Sequence, residues 1–355
     1  MKIVTIVGAR PQFIKAAVVS RYLQSYKNIN EVIVHTGQHF DNNMSEVFFE
    51  EMRIPHPDYF LGINGLGHGA MTGQMLEKIE EVLLKECPDW VLVYGDTNST
   101  LAGALAAAKL HIKIAHIEAG LRSFNMKMPE EINRILTDRI STLLFCPTQN
   151  AMNNLAEEGY TKLPTKIVYS GDIMEDAAYY YQDNAQRPTE IPTDINSFSL
   201  VTIHRAENTD NPEKLRNIFQ ALNTISEKTL IILPLHPRTK SFIIKEKIYT
   251  GNIFIIEPVG YLNMIWLLKN CDLVLTDSGG LQKEAFYFSK YCITLRDETE
   301  WIELVENGYN FLAGSDEIMI LSTFEQLKDK VFKDKINLYG GGNAVKYIID
   351  NLIKF

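Results

Sequence analysis

Two segments far apart in the chain carry residue types suited to gripping a phosphate. In the first, the apolar run 2–7 leads into Gly8-Ala9-Arg10-Pro11, with Lys15 one turn further on. In the second, the run 272–276 leads into Asp277-Ser278-Gly279-Gly280. Each pattern predicts a buried strand, a turn of small residues and a helix whose N-terminal N–H groups and dipole favour an anion. Two such junctions predict a diphosphate held between two domains.

Three carboxylates occupy positions that suit acid–base catalysis. Asp96 and Glu118 each follow a predicted buried strand, and Glu130 opens a predicted helix. Each also has an ordinary alternative. Asp96 can cap a helix, Glu118 can pair with Arg122, and acids in a first helical turn complement the helix dipole.

The second half of the chain offers further candidates for ligand binding. His204 follows a predicted strand and precedes Arg205, a position that suits phosphate binding or proton transfer, although a lone histidine is more often structural. Glu284 lies four residues after Gly280. A carboxylate one turn inside that helix can accept both hydroxyls of a ribose, and the alternative is an ordinary surface glutamate.

The composition restricts the class of protein. A chain of 355 residues with 46% apolar residues suits two α/β domains, and a net charge of -9 argues against nucleic acid or an anionic membrane as a partner. The four cysteines form no C-x-x-C pair, which favours reduced thiols. No zinc spacing, Walker A, G-x-S-x-G or G-x-G-x-x-G pattern is present, and no apolar run approaches the ~20 residues of a membrane span. We therefore expect a cytoplasmic protein without a metal or redox cofactor.

Strand and helix patterns alternate through the chain and predict an α/β fold with two doubly wound parallel sheets. The rhythm breaks in the polar stretch 186–197, which places a domain junction within 170–197. The polar clusters follow strands, and ligands of open α/β sheets bind beyond the carboxyl ends of the strands, so we expect one site in a cleft. The predicted strands are 2–7, 31–35, 90–94, 112–117, 143–146, 166–169, 199–203, 229–234, 252–256, 272–276 and 291–294.

Taken together, the motifs resemble those of the non-hydrolysing UDP-N-acetylglucosamine 2-epimerase family. The matching segments span almost the whole chain and are 8–11, 38–39, 95–97, 116–122, 129–134, 204–205 and 277–280 with Glu284. The resemblance implies the GT-B architecture. Domain 1–172 would carry the sugar and the catalytic carboxylates, domain 173–340 would carry UDP, and helix 341–355 would cross back to the first domain. It also implies a homodimer and a role in polysaccharide biosynthesis, such as that of the lipopolysaccharide O-antigen.

The family inverts C2 of its sugar by eliminating UDP to give a 2-acetamidoglucal and then adding UDP back. By this resemblance, Asp96, Glu118 and Glu130 are acid–base groups and His204 is a catalytic residue beside the diphosphate. The substrate-binding residues that the resemblance implies are Arg10, Lys15, Arg122, Arg205, Val259, Met264, Ser278, Gly279, Gly280 and Glu284. No cofactor is implied, and the ligand is a UDP-sugar.

Three segments depart from the commoner members of the family. The first turn reads Gly8-Ala9-Arg10-Pro11-Gln12 in place of Gly-Thr-Arg-Pro-Glu, and Met264 replaces an aromatic residue. The run 298–303 reads Glu-Thr-Glu-Trp-Ile-Glu in place of Thr-Thr-Glu-Arg-Pro-Glu, so Trp301 replaces an arginine. These departures are similar to the branch that acts on UDP-2,3-diacetamido-2,3-dideoxy-glucuronic acid. Plain UDP-N-acetylglucosamine is the first choice of substrate because it is the family's commonest, and the uronate is the alternative. Its C6 carboxylate would be met by Arg122, Arg134 or Arg296. A GT-B glycosyltransferase or a non-catalytic nucleotide-sugar sensor would explain the fold but not the three acids.

Overall fold

The computed structural model describes residues 1–38, 55–332 and 336–355. His39 and the end of the polar cluster 35–41 lie outside these residues, and the side chain of Arg10 is not described either. The chain forms two compact units. Unit 1 comprises Met1–Tyr180 with Asn337–Phe355, and unit 2 comprises Tyr181–Ile336.

Unit 1 is built on a seven-stranded sheet in the order β3-β2-β1-β4-β5-β6-β7, and every paired strand is parallel to its neighbour. The strand order reverses between β1 and β4, which is the topological switch point where α/β sheets bind ligands. The strands are β1 (Lys2–Val7), β2 (Asn30–His35), β3 (Tyr59–Phe60), β4 (Trp90–Tyr94), β5 (Lys113–Ile117), β6 (Leu143–Cys146) and β7 (Lys166–Tyr169).

Helices cover this sheet, and the contact between β1 and the alanine-rich helix α3 is close. A Cβ on Gly103 of α3 would come within 3.1 Å of Ile6, so the absence of a side chain there allows the helix to approach the strand. The helices of unit 1 are α1 (Arg10–Leu23), α2 (His68–Glu86), α3 (Asn98–Lys109), α4 (Pro129–Ile140), α5 (Gln149–Glu157), α6 (Ile173–Tyr181) and α14 (Ala344–Lys354).

Unit 2 repeats the plan with six parallel strands in the order β10-β9-β8-β11-β12-β13, and here the order reverses between β8 and β11. Its strands are β8 (Ser199–Thr202), β9 (Ile231–Pro234), β10 (Phe254–Ile256), β11 (Leu273–Thr276), β12 (Tyr291–Thr294) and β13 (Asn310–Leu312). Its helices are α7 (Ala206–Thr209), α8 (Pro212–Ser226), α9 (Pro237–Glu246), α10 (Tyr261–Asn270), α11 (Gly279–Tyr287), α12 (Ile302–Glu306) and α13 (Glu317–Leu327). The predicted α/β fold with two doubly wound parallel sheets is confirmed.

Helix α6 and the segment around 340 both belong to unit 1, although the sequence analysis placed them in the second domain. The Asp176 carboxylate accepts hydrogen bonds from the N–H groups of Ala344 and Val345, both at 3.0 Å, and thereby caps α14. Glu175 accepts one from Gly341 at 2.8 Å. These bonds attach the C-terminal helix to α6 and explain why 173–180 and 337–355 pack as one unit.

Candidate active site

Glu118 occupies the end of β5 in a strained conformation and forms a buried ion pair. Its φ is +69°, which is uncommon for a residue with a side chain. Its carboxylate pairs with the ammonium group of Lys15, and the two side chains are 7% and 11% exposed. Gly95 follows the neighbouring β4, and a Cβ there would stand 3.3 Å from Glu118 Oε2. The predicted alternative, a pair between Glu118 and Arg122, is not formed.

Asp96 is held by a cation rather than serving as a helix cap. Thr97 is the N-cap of α3, where its side chain accepts a hydrogen bond from Thr100 N. The Asp96 carboxylate lies 2.5 Å from Arg134 NH2, and its backbone carbonyl accepts a hydrogen bond from the Asn133 side chain at 2.8 Å. Asp96 and Glu118 therefore follow adjacent strands, and each has its own cation.

The two neighbouring acids of α4 have different surroundings. Glu131 is buried and accepts hydrogen bonds from Ser123 N, Phe124 N and Arg134 at 2.8–2.9 Å. Burial alone would raise the pKa of Glu131, but these donors lower it below its ordinary value. Glu130, the acid that the family resemblance singles out, is exposed at the start of α4. The structure thus makes Glu131 an anchor of the loop before α4 and leaves Glu130 open to solvent.

Arg122 is bound by several protein oxygens. Its guanidinium contacts both oxygens of Glu158, at 2.7 and 2.8 Å, and donates to Asp138 at 2.8 Å and to the Leu121 carbonyl at 2.8 Å. The side chain is only 1% exposed. In place of the substrate contact that the sequence analysis expects, we assign Arg122 a structural role, because four of its hydrogen bonds already end on buried or neighbouring protein oxygens.

The first phosphate-gripping junction is closed by a side chain of its own. The Gln12 amide oxygen accepts hydrogen bonds from Gly8 N and Ala9 N at 2.8 and 3.0 Å, and its NH2 group donates to the Tyr94 carbonyl at 2.6 Å. Gln12 is buried. Sequence reasoning predicted free amides at this turn. In the structure, Gln12 binds the Gly8 and Ala9 amides internally.

Unit 2 contains a cavity of about 190 Å³ at the carboxyl ends of its central strands. Four residues that the sequence analysis named for substrate binding or catalysis line it: His204, Val259, Met264 and Ser278. His236, which precedes Pro237 and has the same placement after a predicted strand as His204, lines it as well. Sequence reasoning missed the other lining residues, which are Thr202, Ile203, Pro234, Pro258 and Leu281. The cavity has an apolar floor with hydroxyl and imidazole groups, as expected for a nucleotide site.

Asp277 organises this cavity, and the sequence analysis did not name it as a site residue. Its buried carboxylate accepts hydrogen bonds from His204 N at 3.0 Å, Arg205 N at 3.0 Å and the Asn208 side chain at 3.2 Å. Burial lowers the pKa of His204, and the Asp277 charge partly opposes that shift. An acid directly after a buried strand was the available signal, because the same placement had singled out Asp96.

The N-terminus of α11 is the open helix end of unit 2. The side chains of Glu300 and Arg205 lie next to Gly279: a Cβ added there would be 3.4 Å from Glu300 and 3.6 Å from Arg205. The Trp301 indole N–H donates to the Gly279 carbonyl at 2.8 Å. Gly280 has nothing within 4 Å of an added Cβ. One turn on, Glu284 is 9% exposed, which contradicts the reading of a freely exposed surface glutamate.

Among the residues that the structure describes, no group of three or more His, Cys, Asp or Glu side chains is arranged to hold a metal ion. In the same residues, no helix combines the length and the apolar character needed to cross a membrane.

Comparison with known proteins gives a consistent result across the chain. A family model described as UDP-N-acetylglucosamine 2-epimerase matches residues 21–353. A Pseudomonas aeruginosa protein named UDP-2,3-diacetamido-2,3-dideoxy-D-glucuronate 2-epimerase is 56% identical over 355 residues and covers 100% of both chains. The crystal structure of Methanocaldococcus jannaschii UDP-GlcNAc 2-epimerase in complex with UDP-GlcNAc and UDP is 44% identical, with a TM-score of 0.86 and 100% coverage of both chains. That of the Neisseria meningitidis enzyme bound to UDP-GlcNAc is 32% identical, with a TM-score of 0.86 and the same coverage.

Proposed function

This chain belongs to the UDP-N-acetylglucosamine 2-epimerase family, and we propose that it inverts C2 of UDP-2,3-diacetamido-2,3-dideoxy-glucuronic acid without a redox cofactor. The observation that carries the proposal is the pair of cation-held carboxylates, Glu118 and Asp96, at the ends of adjacent strands. An enzyme that removes a proton from one face of a carbon and returns one to the other can use two such groups, one for each face.

The reaction proceeds by elimination and re-addition. A carboxylate takes the C2 proton while the C1–O bond to UDP breaks, and the bonding electrons of C1–O leave with UDP. The products are a 2-acetamidoglucal and UDP. A proton then adds to the opposite face of C2 as a UDP oxygen re-forms the bond to C1, so no atom or electron is gained or lost.

The C2 proton is weakly acidic because no carbonyl is attached to that carbon. Departure of UDP must therefore build positive charge at C1 early, and groups that stabilise the departing diphosphate accelerate the reaction. In unit 2 we propose that His204, Arg205 and the Ser278, Gly279 and Gly280 amides do so. The cavity wall at His204 and Ser278 and the open N-terminus of α11 support this assignment.

In unit 1 we propose that Asp96 and Glu118 carry the proton transfers, with Glu130 as the third acid. Lys15 lies beside Glu118, and Arg134 lies beside Asp96. Each carboxylate is thus held in place by its own cation, which fixes its position for a proton transfer. Glu284 binds the ribose, and Val259 with Met264 contact the uracil, as their positions at or near the cavity support.

The identity of 56% to a diacetamido-glucuronate epimerase supports the uronate over the first choice of the sequence analysis. The three arginines considered for its C6 carboxylate are all paired with protein acids: Arg122 with Asp138 and Glu158, Arg134 with Asp96 and Glu131, and Arg296 with Glu207 and Glu300. Arg134 has the largest exposed fraction of the three, 16%, and is the one we retain. Plain UDP-N-acetylglucosamine is the second candidate, because the 44% identical crystal structure contains it.

Proton NMR in D2O tests the reaction on each sugar in turn. We expect the C2 proton signal to disappear as the epimer accumulates, because the added proton comes from solvent. Epimer without deuterium at C2, or a requirement for added NAD, would exclude elimination. The absence of an epimer from both sugars would exclude the proposed activity.

A further inference from the structure

His116 is fully buried on β5, two residues before Glu118, and both of its ring nitrogens face oxygen acceptors. Nδ1 lies 2.7 Å from Asp138 Oδ1, and Nε2 lies 2.7 Å from the Gly95 carbonyl oxygen. A carbonyl oxygen can only accept hydrogen bonds. The geometry therefore requires His116 Nε2 to carry a hydrogen and to donate it to the Gly95 carbonyl.

The other ring nitrogen of His116, Nδ1, joins a buried polar network around Asp138. The second oxygen of Asp138 accepts hydrogen bonds from Gly120 N at 3.1 Å and from Arg122 at 2.8 Å. Arg122 in turn binds both oxygens of Glu158. A buried polar network of this kind is a costly way to fill a core, where an apolar ring of similar size would serve.

The network ends at the backbone of Gly95, which precedes Asp96 and contacts Glu118. Gly95 has φ +63° and lies against Glu118. A Cβ added to Gly95 would be only 3.3 Å from Glu118 Oε2. Its N–H donates to the Ile117 carbonyl at 2.9 Å, while its own carbonyl accepts from His116. Asp96 follows directly. Both peptide groups of Gly95 are therefore fixed to β5, and one of the two attachments is the His116 ring.

We infer that His116 is a positioning residue that fixes the Gly95–Asp96 peptide and thereby sets Asp96 relative to Glu118. The inference rests on the proposed function, because it gives the two carboxylates a shared task. His116 itself is not required to touch the substrate. Without its Nε2–H, the Gly95 carbonyl loses its partner, the Asp96 carboxylate shifts, and proton transfer at C2 slows. Misplacement of a reacting group by about 1 Å can cost on the order of 10²-fold in rate.

Two variants and one matched control separate positioning from stability. His116→Phe removes both ring nitrogens and keeps a planar ring, and His116→Gln keeps one nitrogen that can donate. Asn154→Leu is the control, because buried Asn154 donates to the Gly120 carbonyl at 3.0 Å, in the segment that follows β5 and away from Gly95. Each variant is measured for turnover, for the dissociation constant of UDP by calorimetry, and for thermal unfolding. Hydrogen–deuterium exchange of peptide 94–99 is followed as well.

We expect His116→Phe to lose at least ~10²-fold in kcat, with the UDP dissociation constant within about two-fold of wild type and faster exchange in 94–99. His116→Gln should fall between it and wild type. Asn154→Leu should keep turnover within about three-fold of wild type, even if its unfolding temperature falls as much as that of the histidine variants. If His116→Phe does not fold, His116→Gln against Asn154→Leu decides the matter.

Equal loss of turnover in the histidine variants and the control, or unchanged turnover in the histidine variants, would overturn the positioning role. If wild-type protein epimerises neither sugar, the proposed function fails by itself. The exchange experiment still tests the His116 contact, because it needs no substrate: unchanged exchange in 94–99 would refute it.

Discussion

Lys15 and Glu118 lie 103 residues apart in the chain and meet as a buried ion pair. Desolvating two charges is costly, and such a pair contributes little to stability compared with apolar packing. A comparable pair exists elsewhere in unit 1, between Lys2 and Glu86 at 3.2 Å, but its side chains are 35% and 17% exposed. The difference in burial suggests that the Lys15–Glu118 pair serves the reaction rather than the fold.

Replacement of the paired carboxylates should therefore reduce turnover. We expect Glu118→Gln and Asp96→Asn each to lose at least ~10²-fold in kcat, while UDP binding by calorimetry persists. Glu86→Gln is the matched control, because it alters a lysine-paired carboxylate of the same unit that has no proposed catalytic role. Turnover near the wild-type value in both site variants would show that these carboxylates are only structural ion-pair partners.

In unit 2, Glu284 is likewise a largely buried carboxylate with a proposed functional role. Its side chain is 9% exposed within α11, one turn after the helix end proposed to bind the diphosphate. Glu284→Ala should weaken UDP binding by about 1.5–3 kcal/mol, the range for a hydrogen bond to a charged group. Glu317→Ala removes an acid from the first turn of α13 and should leave the dissociation constant unchanged. If the two variants bind UDP equally well, Glu284 has no contact with the ribose.

At the scale of elements, the turn between β1 and α1 packs closely against α3. A Cβ on Gly8 would stand 2.0 Å from Ser99 Oγ and 2.4 Å from Thr36 Oγ1, far inside contact distance. Glycine is therefore required at this position by the approach of the turn to buried hydroxyls, even though its amide is already bound by Gln12.

Gly8→Ala should lower the free energy of unfolding by roughly 1–3 kcal/mol, as overpacking typically does. Gly73→Ala is the control, because Gly73 lies in the middle of α2 with nothing within 4 Å of an added Cβ. It should raise the free energy of unfolding by about 0.5–1 kcal/mol through its helix propensity. Urea denaturation measures both, and equal effects of the same sign would contradict the close approach.

The cap of α14 by Asp176 gives the stability of the protein a pH dependence. Burial raises the pKa of Asp176 to about 6 in the fold, against about 3.9 for an unperturbed aspartate. Between these values the folded state binds more protons than the unfolded state, so this group's contribution to stability is present at low pH and is lost as pH rises through about 6. The size of the change is on the order of 2–3 kcal/mol.

Asp176→Asn should remove this dependence. We expect the difference in free energy of unfolding between wild type and variant to fall as pH rises from 4 to 6.5, because only the wild type titrates. Chemical denaturation at several pH values measures it. A difference that stays constant over the window would mean that the carboxyl group has its ordinary pKa in the fold.

At the scale of the whole molecule, the two units have similar topologies but carry different residues after their central strands. Unit 1 has carboxylates after the adjacent strands β4 and β5, and unit 2 has a cavity with a histidine, a serine and an open helix end. This division suits a reaction in which one part of the substrate leaves as an anion and another exchanges a proton. The two candidate substrates both contain UDP and differ only in the sugar.

The uronate should be the better substrate. We expect its kcat/KM to exceed that of UDP-N-acetylglucosamine by at least ~10²-fold, about 2.7 kcal/mol of transition-state discrimination. UDP-2,3-diacetamido-2,3-dideoxyglucose is the control, because it keeps both acetamido groups and lacks the C6 charge. A ratio near one, or in favour of UDP-N-acetylglucosamine, would make plain UDP-N-acetylglucosamine the substrate.

The sequence by itself determined the α/β class, the central strands and the places where polar side chains gather. Apolar runs such as Trp90–Tyr94 and the small-residue turns after them are local signals, and parallel strands bring their carboxyl ends to one edge whatever the details. The edge strands Tyr59–Phe60 and Asn310–Leu312 were not predicted, because two or three residues are too few to show a pattern.

The tertiary structure alone decided which side chains meet. Glu118 pairs with Lys15 instead of Arg122, Arg122 is taken by Asp138 and Glu158, and the amides of Gly8 and Ala9 are satisfied by Gln12. Strand register and the left-handed turn at Glu118 set these partnerships, and neither is encoded in spacing along the chain. A charged residue's partner depends on the direction of its side chain after packing, so residue types could indicate acid–base chemistry while leaving each cation unassigned.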